Sequence, residues 1–154
     1  HTTMKKYIRH LSAIVLIMVL ATACESYLIN GHLDGMWQLQ TVERNNPDTT
    51  IRNQGDLFYS FQRHTVLIGD YNNPDELVGH LKSEQYVSLF DYTGDSITMG
   101  EFHLYYGRED QPYDTTRLKR FGLYNKQTTF HIEELTASRL VLRSDSALIT
   151  LRKY

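Results

Sequence analysis

From residue 36 onward, apolar and polar residues mostly alternate with a period of two. That spacing puts one set of side chains on each face of a β-strand. Met36 to Glu43 is a strand with Trp37, Leu39 and Thr41 on one face. Asp56 to Gln62 and Thr65 to Asp70 follow, separated by Arg63-His64, which reads as a tight hairpin. A loop rich in turn formers, Asp70 to Asp75, leads to a weak strand at Leu77 to Leu81. Tyr86 to Tyr92 and Ser96 to Met99 flank Thr93-Gly94-Asp95, where glycine suits the first central position of a type II′ turn. In Glu101 to Tyr106, Phe102, Leu104 and Tyr106 share one face and Glu101, His103 and Tyr105 the other. Three more strands close the chain: Thr128 to Leu135, Arg139 to Ser144 and Ala147 to Lys153.

The pattern changes once. After a polar loop at 107–113, Asp114 suits a helix N-cap, Leu118 and Phe121 stand at i and i+3, and Gly122 can end the helix. Two turns do not stand alone, so this helix requires Leu118 and Phe121 to pack on a β-core. Short strands at near-regular spacing, joined mostly by tight turns, indicate an all-β antiparallel barrel or sandwich. About eight to ten strands suffice to close a barrel, which removes exposed edges.

The first residues follow a different rule. Lys5, Lys6 and Arg9 precede the apolar run Leu11 to Leu20. That run is too short to span a bilayer but fits the core of a secretory signal. The following Leu20-Ala21-Thr22-Ala23-Cys24 resembles the bacterial lipobox. The resemblance implies cleavage before Cys24, two acyl chains on a glyceryl thioether and a third on the new amine. The expected organisation is a removed signal at 1–23, an acylated Cys24 with a tether through residue 34, and a domain at 35–154. An ordinary secretory signal with a chance cysteine, or a retained membrane anchor, is the competing reading. Losing Lys5, Lys6 and Arg9 with no acid takes the net charge from −2 to −5. A mildly acidic chain argues against nucleic acid as partner. A single cysteine excludes internal disulfides and zinc sites of the four-Cys or two-Cys-two-His type.

Gly35-Met36-Trp37 opens the first strand of the domain and resembles the Gly-x-Trp signature of lipocalins. Together with the lipobox, and with Arg139 to Leu142 and Thr150 to Tyr154 at the end, the pattern resembles the small lipocalin-like lipoproteins of Bacteroidetes. The resemblance spans the mature chain. It implies an up-and-down barrel of about eight strands, with the short helix before the last ones. It also implies a cation from near the last strand lying across the Trp37 ring, with Arg152 the first candidate and Arg143 the second. An outer-membrane lipoprotein is expected, facing the periplasm rather than the cell surface.

No nucleophile elbow, metalloprotease helix or phosphate loop occurs, and no cofactor is expected. Glu101 and His103 are two apart on a strand, as are His131 and Glu133, so adjacent strands would gather two imidazoles and two carboxylates for a metal. The plainer reading is the solvated face of half-buried strands. Tyr59, Phe61, Tyr86, Phe90, Tyr92 and Tyr106 are candidates for lining a pocket that takes a mostly apolar or ring-shaped ligand with one polar group. Plain core packing is the competing reading. The functional expectation is a non-catalytic, membrane-tethered module that binds a small hydrophobic or envelope-derived molecule. The alternative is a closed-core scaffold acting on an envelope protein through its outer surface.

Overall fold

The computed structural model describes residues 28–45, 48–52, 56–71, 84–105 and 115–154. Among these residues are ten strands: β1 (Gly35–Asn45), β2 (Asp48–Arg52), β3 (Leu57–Gln62), β4 (Thr65–Asp70), β5 (Glu84–Tyr92), β6 (Ser96–Met99), β7 (His103–Leu104), β8 (Thr128–Leu135), β9 (Arg139–Arg143) and β10 (Ala147–Lys153). Every pairing is antiparallel, in the order β10-β9-β8-β6-β5-β4-β3-β1, and β10 pairs back onto β1. The result is a closed eight-stranded barrel. Two short strands lengthen its walls, β2 beside the second half of β1 and β7 beside the first half of β5.

The alternation read from the sequence sets the two faces. Trp37, Leu39, Tyr59, Phe61, Tyr86, Phe90, Phe130, Leu142, Ile149 and Leu151 all point inward and are buried. Closure depends on the pairing of the two ends of the domain, from Trp37↔Lys153 to Arg44↔Ala147. Within it the register slips between Leu39 and Thr41. One extra residue in a strand reverses the faces beyond it. Val42, opposite Ile149, therefore points into the core, and Thr41 does not share the face of Trp37 and Leu39.

The hairpins at Arg63-His64 and Thr93-Gly94-Asp95 form as expected, with Thr93 N–H donating to the Ser96 carbonyl. Three expectations change. Strand β2 was not visible in the pattern, because its residues 49–52 are all exposed and show no apolar alternation. Of the strand expected over 101–106, the described residues form only His103–Leu104. The expected α-helix is a 3-10 helix, Thr115–Phe121. Three residues per turn stack positions i and i+3 directly, so Leu118 and Phe121 enter the core on one line. Gly122 ends the element at φ +85°, where Gly122 N–H donates to the Lys119 carbonyl and Leu123 N–H to that of Leu118. A Cβ there would lie 2.5 Å from Ile149 Cγ2. Asp114 and the strand expected at Leu77 to Leu81 lie outside the described residues.

The barrel has two unlike ends. At one, a 3-10 turn (Gly31–Leu33) crosses beneath Trp37, and the connections 63–64, 93–95 and 136–138 are short. At the other, Thr115–Phe121 lies across the opening, and the connections 71–83 and 105–114 begin or end there. Arg120 fastens this element to the rim through a 2.5 Å ion pair with Asp70.

Candidate functional site

The Trp37 end shows what the Gly-x-Trp spacing does. Trp37 is fully buried and its Nε1–H donates to the Leu33 carbonyl at 2.8 Å. The cation over its ring is Lys153, with Nζ 4.3 Å from the ring centroid, and not Arg152. Register decides this. Lys153 stands opposite Trp37 and shares its face, whereas Arg152 stands opposite Gln38 on the outer face and donates to Gln38 Oε1 at 2.8 Å. Arg143 is also outward and bonds Glu133. The Lys153 ammonium donates to the carbonyls of His32 and Asp34 as well. Burial lowers its pKa, and the nearby Asp34 carboxylate opposes that. Gly35 makes the arrangement possible: at φ +113°, a Cβ would sit 2.9 Å from Lys153 Nζ.

Inside the barrel, four of the six aromatic candidates converge. Tyr59 and Tyr86 flank Ile68 at one level, and Phe61 lies one inward position nearer the Trp37 end. Tyr59 stacks on Phe61 with centroids 6.1 Å apart, and Phe61 meets Phe90 edge-on at 5.3 Å. Phe121 comes down from the 3-10 helix, edge-on to Tyr59 at 6.3 Å and to Tyr86 at 6.5 Å. The Tyr59 hydroxyl donates to the Phe121 carbonyl at 2.6 Å. Burial, aided by Tyr124, pushes the Tyr59 pKa far above the ordinary tyrosine range. Tyr92 is half-buried at the margin of this core, and Tyr106 and Cys24 lie outside the described residues.

Polar groups interrupt this wall. Ser88 and Thr128 point inward with their strands' core residues and are each only 5% exposed. Thr128 Oγ1 has no hydrogen-bond partner among the described residues. Thr128 was not a candidate from sequence, because a small hydroxyl residue on a strand looks the same facing in or out. Parity was the signal: Ser88 shares the strand face of Tyr86 and Phe90, as the alternation predicts, and Thr128 stands two before Phe130.

The four metal candidates do not meet. Strand β7, which carries His103, continues beyond β6 along the same edge of β5, whereas His131 on β8 stands opposite Ser96 at the other end of β6. Glu101 pairs with Lys126 at 3.2 Å, and Glu133 with Arg143, which lowers the Glu133 pKa. No group of three or more potential metal ligands occurs among the described residues. On the outer wall, Thr65, Val87, Leu89, Gly100, Glu101 and His103 line an open groove of about 440 Å³. Leu89 there is 70% exposed.

A closed antiparallel barrel crossed at one end by a 3-10 turn and a buried tryptophan defines a lipocalin-like protein, a fold built for binding. The model of the lipocalin-like domain family matches residues 17–154, and the chain belongs to that family. Two solved structures are similar in fold. One is a lipocalin-like protein from Bacteroides uniformis ATCC 8492, at 22% identity and a TM-score of 0.58, covering 80% of this chain and 100% of that one. The other is an uncharacterized protein from Bacteroides eggerthii DSM 20697, at 20% identity and a TM-score of 0.54, covering 79% of this chain and 99% of that one. No curated protein matches the chain.

Proposed function

We propose that this protein is a membrane-anchored binding module that takes a small, mostly apolar ligand bearing one polar group, and catalyses no reaction. The ligand enters from the end covered by Thr115–Phe121 and rests on the layer of Tyr59, Tyr86 and Phe121. The observation that carries this reading is the inward hydroxyl of Thr128, buried with no partner among the described residues. A buried hydroxyl left unpaired costs about 1–3 kcal/mol, a cost that a ligand's polar group or a bound water removes. The anchor rests on Cys24 in its lipobox setting. An outer-membrane position, with an envelope-derived ligand, accords with it.

Native mass spectrometry of the protein purified from an envelope fraction tests the reading. A reproducible added mass that organic extraction removes, and that the Thr128→Val variant holds less well, is the expected result. A clean apo mass in both proteins would overturn it. The scaffold alternative draws its support from Leu89 and the outer groove, which offer a protein partner an apolar contact. It predicts that Leu89→Glu abolishes co-purification of a partner while Thr128→Val has no effect.

A further inference from the structure

We infer that the Trp37 end of the barrel sits against the bilayer, with Leu28 and Ile29 seated in its interface and the Thr115–Phe121 end pointing away. This rests on the anchoring at Cys24 proposed above. Leu28 and Ile29 are adjacent, large and aliphatic, and 62% and 60% exposed. They belong to the folded domain. The Leu28 carbonyl accepts from Gly31 N–H, and Asn30 is bound to the Asp34 carboxylate through both its backbone N–H and its side chain. Asn30 Nδ2 also donates to the Arg63 carbonyl in the β3–β4 turn. The segment from Leu28 to Asp34, read from sequence as tether, is therefore the floor of the barrel.

Distance then decides the orientation. Cys24 stands four residues before Leu28, and four residues span at most about 14 Å when extended. Acyl chains on Cys24 lie in hydrocarbon, so the floor cannot stand farther than that from the headgroups. The nearest described surface is then the apolar pair Leu28 and Ile29, beside the exposed Arg63, whose guanidinium suits a lipid phosphate. The opposite end, crossed by Thr115–Phe121, then faces water. Ligand exchange thus takes place from the aqueous side and not directly from the bilayer.

The test uses the full-length acylated protein in phosphatidylethanolamine–phosphatidylglycerol vesicles containing brominated phosphatidylcholine. Tryptophan is placed at the floor by Ile29→Trp or at the far end by Ile51→Trp, which lies on exposed β2. The native chain supplies the Trp37 background. Quenching several-fold stronger for Ile29→Trp than for Ile51→Trp is expected. Equal quenching, no quenching at either site, or the reverse order overturns the orientation, provided intact mass shows Cys24 acylated. An unmodified Cys24 overturns the anchoring reading itself, and the orientation falls with it.

Discussion

Lys153 and Arg152 are neighbours in sequence with the same charge, yet only Lys153 reaches Trp37. Replacing Lys153 with Ala removes a half-buried cation from the ring, worth roughly 0.5–2 kcal/mol. Arg152→Ala should shift stability by less than about 0.5 kcal/mol. Urea denaturation of the two variants checks the ordering, and equal losses would refute the assignment. Tyr59 makes a second prediction. Its proton is held above the ordinary range in the fold, so the unfolded chain, titrating near 10, releases that proton first. Stability from this group is complete below that pH and is lost as pH rises above it. In an absorbance titration of tyrosinate, one tyrosine should ionise only as the protein unfolds. In Tyr59→Phe that delayed fraction disappears.

Among the elements, Thr115–Phe121 is too short to be stable on its own and is held by what it inserts. Leu118 and Phe121 are buried, Arg120 pairs with Asp70, and Gly122 fits between Ile149 and Val42 because it has no Cβ. Phe121→Ala should cost about 3–5 kcal/mol, since it leaves a cavity between Tyr59 and Tyr86. Hydrogen exchange should show protection lost first in residues 118–123. Uniform loss across all strands would mean the element is not a separate unit. The i,i+3 pair and the terminal glycine made this element visible in the sequence. Its 3-10 winding was not, because the choice depends on the depth of the core that Leu118 and Phe121 must reach.

At the scale of the molecule, the barrel closes only when its first and last strands meet. Ending the chain at Ser146 removes β10 and leaves β1 and β9 with exposed edges. Such edges pair with other chains. The truncated protein should lack native near-ultraviolet circular dichroism and elute as aggregate in size exclusion. A monomer with native spectra would show that closure is dispensable. Because β1–β10 pairing joins residues more than a hundred positions apart, folding should also be slow for a chain of this size.

The sequence by itself determined most of the strands, the hairpin turns at 63–64 and 93–95, and the shared inward face of Tyr86 and Phe90, because alternation at period two is a local property. It also marked Gly35 and Trp37, whose spacing matches their structural role. Tertiary structure decided everything that depends on parity across a pairing: the slip between Leu39 and Thr41, the choice of Lys153 over Arg152, and the separation of His103 from His131. It alone turned Leu28 to Asp34 into the barrel floor, through bonds from Asn30 to Arg63. The physical reason is the same in each case. A strand's own residues fix which side chains share a face, but only its partner's register fixes what those side chains meet.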